Sequence, residues 1–282
     1  MTSAPIVLSG CIGGAMKRVA AVADQFYYGS SNRLRQQVEQ YIDKEARKED
    51  AIGIVVPHAG LIYSGAVAGA VYSSINFPET FLLLGPNHTG IGPKVSLMDE
   101  GEWEIPTGLF KIDRKLASRI ALNSEKITRD SQAHIFEHSL EVQLPFIAYF
   151  SEEVKIVPIT ILSASLDDCM DIAAGIAKAV KSLDYPVVVA ASSDMSHYLP
   201  DKITRMKDEK AISKILEMDP EGLYETVLKE RISMCGYLPA TVMLFVSKLL
   251  GATSARLIKY ATSGDVSGDY DSVVGYAGIV LA

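Results

Sequence analysis

The sequence is short of the residues that staple a fold, span a bilayer or bind polyanions. Of 282 residues only three are cysteine, Cys11, Cys169 and Cys235, an odd number without a C-x-x-C pair. This argues against a disulfide framework and for a reducing, cytoplasmic compartment. Positive charge is also in deficit: 27 Lys and Arg face 34 Asp and Glu, a net charge of −7, with no compact basic run. Such a field repels nucleic acid and anionic lipid, so neither is an expected partner. No apolar stretch approaches the roughly 18 residues a membrane helix needs. Leu8-Ser9-Gly10-Cys11 has the look of a lipoprotein cleavage site, but only ten residues precede the cysteine and none is basic. There is a single tryptophan, Trp103, and no repeat, low-complexity tract or linker that would divide the chain.

What is present is a 48% apolar, 22% charged composition ordinary for a globular protein of one large domain. Three apolar runs stand out, each ending in polar side chains. AIGIVVPHAG breaks at Pro57 and hands over to His58; FLLLGPNHTG breaks at Gly85-Pro86 and delivers His88; PVVVAASSDMSHY ends in Asp194 and His197. Continuous Ile/Val/Leu runs of this length read as strands buried on both faces, hence a parallel sheet, and such sheets bind ligands just beyond their strand ends.

Between the runs the spacing predicts helices over about 32–47, 65–75, 113–122, 166–183, 201–216, 221–229 and 239–250, with further strands near 154–161, 256–261 and 272–281. Residues 93–113 read as a hairpin-like excursion over the site around Trp103. Leu140, Leu144 and Ile147 share a face if 134–150 is a helix. The alternation of strands and helices gives an α/β fold, a single domain with a mainly parallel central sheet flanked by helices.

All five histidines, His58, His88, His134, His138 and His197, fall in these segments. Imidazole is the commonest transition-metal ligand and also the side chain that titrates near neutrality, so convergent histidines serve coordination or proton transfer; singly, each reads equally well as core. Cys235 lies just ahead of the helix near Pro239, where the helix dipole favours a thiolate; a small buried apolar residue is the other reading. Cys169 reads as core. His134-Ile135-Phe136-Glu137-His138 has the H-x-x-E-H form of inverted zinc peptidases, which on a helix would let two imidazoles hold zinc while Glu137 activates water.

PHAGLIYSGAVAG, LLGPNHTG, EWEIPTG, EHSLEVQLPF, SSDMSHY, CGYLPA and SVVGYAGIVL together resemble the Memo family, named for a mediator of receptor-driven cell motility. The likeness runs in order from near Val19 to the C-terminus, which leaves residues 1–17 as a leader ahead of one Memo-like domain, 18–282. The resemblance implies a fold similar to class III extradiol dioxygenases, non-haem iron enzymes. It implies metal ligands at His58, His88 and Cys235, site roles for His197 and Asp194, and cleft positions for His138 and Glu141. A thiolate in place of the dioxygenase carboxylate is softer and more easily oxidised, which argues against ring cleavage by that route. The expectation is therefore a metal-dependent redox enzyme acting on a small-molecule or peptide ligand, with iron(II) first, then copper or zinc. A non-catalytic binder of phosphopeptides or small anions is the alternative. Prokaryotic relatives also imply a radical-SAM pathway partner.

Overall fold

The computed structural model describes residues 16–282. Of the expected leader only Met16 and Lys17 fall within that span, and Lys17 already belongs to the first strand; Cys11 and its lipoprotein-like setting lie outside the described residues. The elements in chain order are β1 (Lys17–Val19), α1 (Ser31–Glu39), β2 (Gly53–Val56), α2 (Leu61–Ser73), β3 (Thr80–Pro86), β4 (Val95–Leu97), β5 (Glu102–Ile105), β6 (Gly108–Lys111), α3 (Arg114–Asn123) and β7 (Thr128–Arg129). They continue with α4 (Leu144–Phe150), β8 (Lys155–Ile161), α5 (Leu166–Lys181), β9 (Val187–Ser192), β10 (His197–Leu199), α6 (Asp201–Leu216), α7 (Pro220–Lys229), α8 (Tyr237–Leu250), β11 (Ala255–Thr262), α9 (Gly264–Ser267) and β12 (Val273–Leu281).

The main sheet runs β10-β12-β2-β9-β3-β8-β4-β7, with β11 on the other edge of β12. Its centre, β2, β9, β3 and β8, is parallel, and β12 and β4 flank it antiparallel. The expected α/β class, one domain with a sheet between helices, is the one observed, with the parallel pairing concentrated at the centre and antiparallel pairing at β4, β10, β11 and β12. Every residue of β2, β3 and β9 is buried, as it must be when helices cover both faces. One face carries α8 against β2, β3, β8 and β9, with α5 and α7 packed on it; the other carries α2 against β2, β11 and β12, next to α4.

Helix ends follow local chemistry. Ser165 and Asp168 form a reciprocal capping box at the start of α5, whose last turn holds Lys178 and Lys181. Gly251 ends α8 at φ 100°, a conformation that costs a side-chain-bearing residue more. Asp113 caps α3 at Leu116 N (3.0 Å) and also accepts from Thr80 Oγ1 (2.8 Å) and Tyr185 OH (2.6 Å). Burial alone would push its carboxyl up, but these hydrogen bonds outweigh it and hold the group below the usual range. Replacing Asp113 by alanine removes the cap and orphans two hydroxyls, an expected loss of about 2–3 kcal/mol, measurable as a lower midpoint in urea with an unchanged slope.

Two expectations are corrected here. The stretch 134–150 is not one helix: short 3-10 turns at Gln132–His134 and Glu141–Gln143 bracket an irregular segment, and α4 begins only at Leu144. The reason is tertiary, because the Glu137 carboxylate takes the amides of Ser139 (2.8 Å) and His88 (2.5 Å), which bends the chain away from helical bonding. The excursion around Trp103 does form a hairpin, β5–β6, but it pairs with β1 in a separate three-stranded sheet. Trp103 is fully buried there beneath the Arg18 guanidinium (4.3 Å) and beside His134, so it packs as core.

Candidate metal centre

In the order β2-β9-β3, three adjacent parallel strands end side by side at Val56, Ser192 and Pro86. The residues just beyond them, His58, Asp194 and His88, therefore emerge in one crevice, as open α/β sheets dictate. Local turns aim them. Asn87 Oδ1 accepts from Thr89 N (3.0 Å), Thr89 Oγ1 (2.8 Å) and Gly90 N (3.0 Å), turning the chain directly after β3. His138 arrives from the irregular segment before the 141–143 turn. The ring centroids lie 5.3 Å apart for His58 and His88, 5.5 Å for His58 and His138, and 4.5 Å for the stacked pair His88 and His138. One nitrogen from each of the three imidazoles falls within 4.8 Å of the others.

Behind the rings stands Glu137, fully buried. Its Oε1 lies 2.9 Å from His88 Nδ1 and 3.5 Å from His138 Nδ1. Burial would raise this carboxyl, but the His88 hydrogen bond and charge, the Ser139 amide and His138 hold it down at about 2. His58 is kept neutral by burial and then by its two neighbouring imidazoles, well below its ordinary range. His138 is shifted down too, with burial the larger cause and Glu137 opposing it. A neutral imidazole backed by a carboxylate is the form in which histidine binds metal.

Cys235 Sγ lies 3.3 Å from His58 Nε2 and accepts from Asp194 N at 3.3 Å. Gly236 allows this approach: a Cβ there would stand 2.3 Å from Ser192 O and 2.5 Å from Ser193 Cβ. The thiol is pushed up by burial and by Asp194, the reverse of the direction expected from its place ahead of α8. The dipole of one helix end is smaller than the desolvation of a thiolate beside a carboxylate. Asp194 Oδ1 accepts from the amides of His58 (2.8 Å) and Ala59 (3.3 Å), and its carboxyl is raised by burial against those bonds and His197. His197 Nδ1 meets Ser233 O at 2.8 Å, and its own amide donates to Ser233 Oγ.

Glu141 and His134 are placed elsewhere. Glu141 accepts from Arg18 and from Tyr27 OH, and also from Ala21 N (2.8 Å) and Val22 N (3.1 Å), so it ties down the strap between β1 and α1. That strap lays Phe26 on His138 at 4.7 Å between centroids. His134 is fully buried, stands T-shaped to Trp103 and is shifted down to about 4 by burial and by Arg18. It is absent from the three-imidazole cluster, so the H-x-x-E-H reading loses its first ligand, and Glu137 lies behind the rings as their partner.

The segment 18–280 matches the family model for Memo-like proteins. The chain belongs to the Memo-like family. MEMO1 family proteins of Saccharolobus solfataricus and of one Saccharolobus islandicus strain are 44% and 45% identical over 278 residues, covering 93% of this chain and 98% of each relative. One from Pyrobaculum aerophilum is 43% identical over 276 residues, with 94% and 98% covered. Among solved structures, an uncharacterised protein of Escherichia coli K12 superposes with a TM-score of 0.54 at 14% identity, over 81% of this chain and 98% of that one, a likeness of fold alone. Among the described residues of this Memo-like chain, no helix is long and apolar enough to cross a membrane.

His138 is the site residue whose neighbours in the chain reveal least about its place. Its spacing from His134 suggested a helical pair, whereas the partner rings come from loops 50 and 80 positions upstream. Gln143 and Ser192 lie within the EHSLEVQLPF and SSDMSHY motifs, but nothing in those motifs assigns them a role at the site. They are ordinary polar residues until the fold brings them behind His58.

Proposed function

We propose that the histidine cluster of this Memo-like chain holds one transition-metal ion and serves redox chemistry on a small organic substrate. The observation that supports it is the convergence of three imidazoles with the buried Glu137 carboxylate behind two of them. The donor set fits such an ion: His58 and His88 present imidazole nitrogens in the crevice, His138 is within reach, and the Cys235 thiol stands beside His58. Imidazole with thiolate suits iron(II), our first choice, and copper. When bound, the ion would supply Lewis acidity and, as iron or copper, an electron; it would also favour the thiolate of Cys235 over the thiol.

The chain's own residues have distinct tasks. His197 commits Nδ1 to the Ser233 carbonyl, which must accept, so Nε2 is left to take or give a proton. Asp194 fixes the backbone at His58 and Ala59 and, with its raised carboxyl, can share a proton with a polar substrate group. Phe26, laid on His138 by the strap, gives the crevice an apolar wall.

The presence of a third imidazole favours one second reading, a zinc site without redox turnover, since three-histidine sets with an open fourth position suit zinc equally. Metal analysis of protein purified without oxygen distinguishes the two. One iron or copper per chain is expected in the wild type, with a loss of more than about 10-fold in His58→Ala. Zinc alone would support the non-redox reading. Protein that refuses iron, copper and zinc would overturn both and favour a non-catalytic binder of phosphopeptides or small anions. Cys235→Ser, run alongside, tells a ligand from a neighbour: metal content falls in the first case and is kept in the second.

A further inference from the structure

We propose that Ser192 and Gln143 are positioning residues that fix the tautomer of His58, so that Nε2 rather than Nδ1 is presented to the metal; this rests on the metal reading above. The buried network behind the ring leaves only one arrangement of donors and acceptors. Carbonyl oxygens only accept. Pro57 O lies 3.0 Å from Gln143 Nε2, which fixes the orientation of that amide. Tyr72 OH, at 3.1 Å, then donates to Gln143 Oε1. Ser139 O lies 2.7 Å from Ser192 Oγ, so the single hydroxyl proton of Ser192 is spent there. Only acceptor capacity remains on Ser192 Oγ, toward Gln143 Nε2 at 2.9 Å and His58 Nδ1 at 2.8 Å.

His58 must therefore carry its ring proton on Nδ1. Its Nε2 keeps the lone pair, and that nitrogen is the one 3.3 Å from Cys235 Sγ. Every member of the relay is buried, with Tyr72, Gln143 and Ser139 at 0% exposure and Ser192 at 1%. Reversing the tautomer would strand a donor or an acceptor in a dry interior, which is costly.

The relay also makes the two histidines unequal as ligands. His88 is backed by a carboxylate, Glu137, whereas His58 is backed by a neutral hydroxyl. A carboxylate partner raises the basicity of an imidazole and a hydroxyl does so less, so His88 is the stronger donor and His58 the one set chiefly by geometry. The network spans α2, the 141–143 turn and β9, so a merely structural role is the competing account.

The test reads the tautomer directly. Long-range proton–nitrogen NMR is recorded on metal-free, full-length protein with labelled histidine, the His58 signal being assigned by its loss in His58→Ala. Zinc(II) titrations run in parallel. The wild type is expected to show His58 protonated on Nδ1 alone. Ser192→Ala should give mixed tautomers and bind zinc about 10–100-fold more weakly, Gln143→Met should shift both in the same direction, and Ser192→Thr should restore both. A wild-type His58 protonated on Nε2, or a Ser192→Ala spectrum identical to wild type, overturns the proposal. Because the wild-type spectrum decides by itself, a variant that fails to fold does not shelter it. Protein that binds no zinc, iron or copper would sink the metal reading, while the spectrum would still rule on the positioning.

Discussion

Glu141→Ala is expected to lower the unfolding free energy by roughly 3–5 kcal/mol, the usual consequence of removing one member of a buried ion pair. Glu141 is fully buried and faces Arg18, itself buried, whose other guanidinium nitrogens donate to His134 O (3.0 Å) and Glu137 O (2.7 Å). Without the carboxylate, Arg18 becomes an uncompensated buried charge, and Tyr27 OH and two backbone amides lose their acceptor. At roughly 2–4 °C per kcal/mol for a chain near this size, the thermal midpoint should fall by about 10 °C. Glu141→Gln should recover part of that loss, since an amide oxygen still accepts but carries no charge. A midpoint within 2 °C or so of wild type for the alanine variant would mean that the strap is held by packing, not by this carboxylate.

The same substitution has a second reading at the site. The strap from Ala20 to Ser30 carries Phe26 onto His138 and gives Phe26 O to the amide of Leu61 at the start of α2. Loosening it should raise hydrogen exchange at Leu61 before it touches the core strands. That order follows from burial: β2, β3 and β9 are closed on both faces, whereas the strap has solvent on one side.

The second large effect concerns Glu137. Glu137→Ala removes the acceptor of the His88 ring and the carboxylate charge beside His138, and orphans the amides of His88 and Ser139. Metal affinity should fall by about 100-fold, the upper end for loss of such a partner, with a stability loss of about 2–3 kcal/mol for the stranded amides. Glu137→Gln discriminates between two roles. If Glu137 orients the rings, the glutamine variant also binds metal more weakly, because a neutral amide cannot serve two imidazoles and two amides. Were Glu137 the water-activating base of a zinc hydrolase, the glutamine variant would keep its metal and lose only a hydrolytic activity. Retained metal in that variant would reopen the H-x-x-E-H interpretation, which the structure otherwise opposes by burying His134 next to Arg18.

Much of the fold was legible because its signals are local. The three apolar runs that end in histidine or aspartate are the central strands, and amphipathic spacing located α5, α6 and α7 to within a few residues. The errors share one cause. The 134–150 stretch has helical periodicity in Leu140, Leu144 and Ile147, all buried, yet only its second half is helix. Periodicity reports which residues face the core, but it cannot report that a carboxylate will prefer distant amides to a helical turn. Likewise α1 stops at Glu39 although its polar and apolar alternation runs on, because Tyr41 and Ile42 are partly buried in the loop packed against the core.

The amino-acid sequence by itself determined the order of strands and helices, the excess of acid, the strand-end placement of His58, His88 and Asp194, and membership of the Memo-like family. These depend on neighbours in the chain or on motifs read in order. Only the tertiary structure decided that His138 joins the other two rings, that Glu141 serves the strap, that Glu137 stands behind the imidazoles, and that the Cys235 thiol is raised and not lowered. Each of those outcomes is a competition between desolvation and hydrogen bonds supplied by residues tens of positions away. Such a competition has no value until the sheet has set the distances.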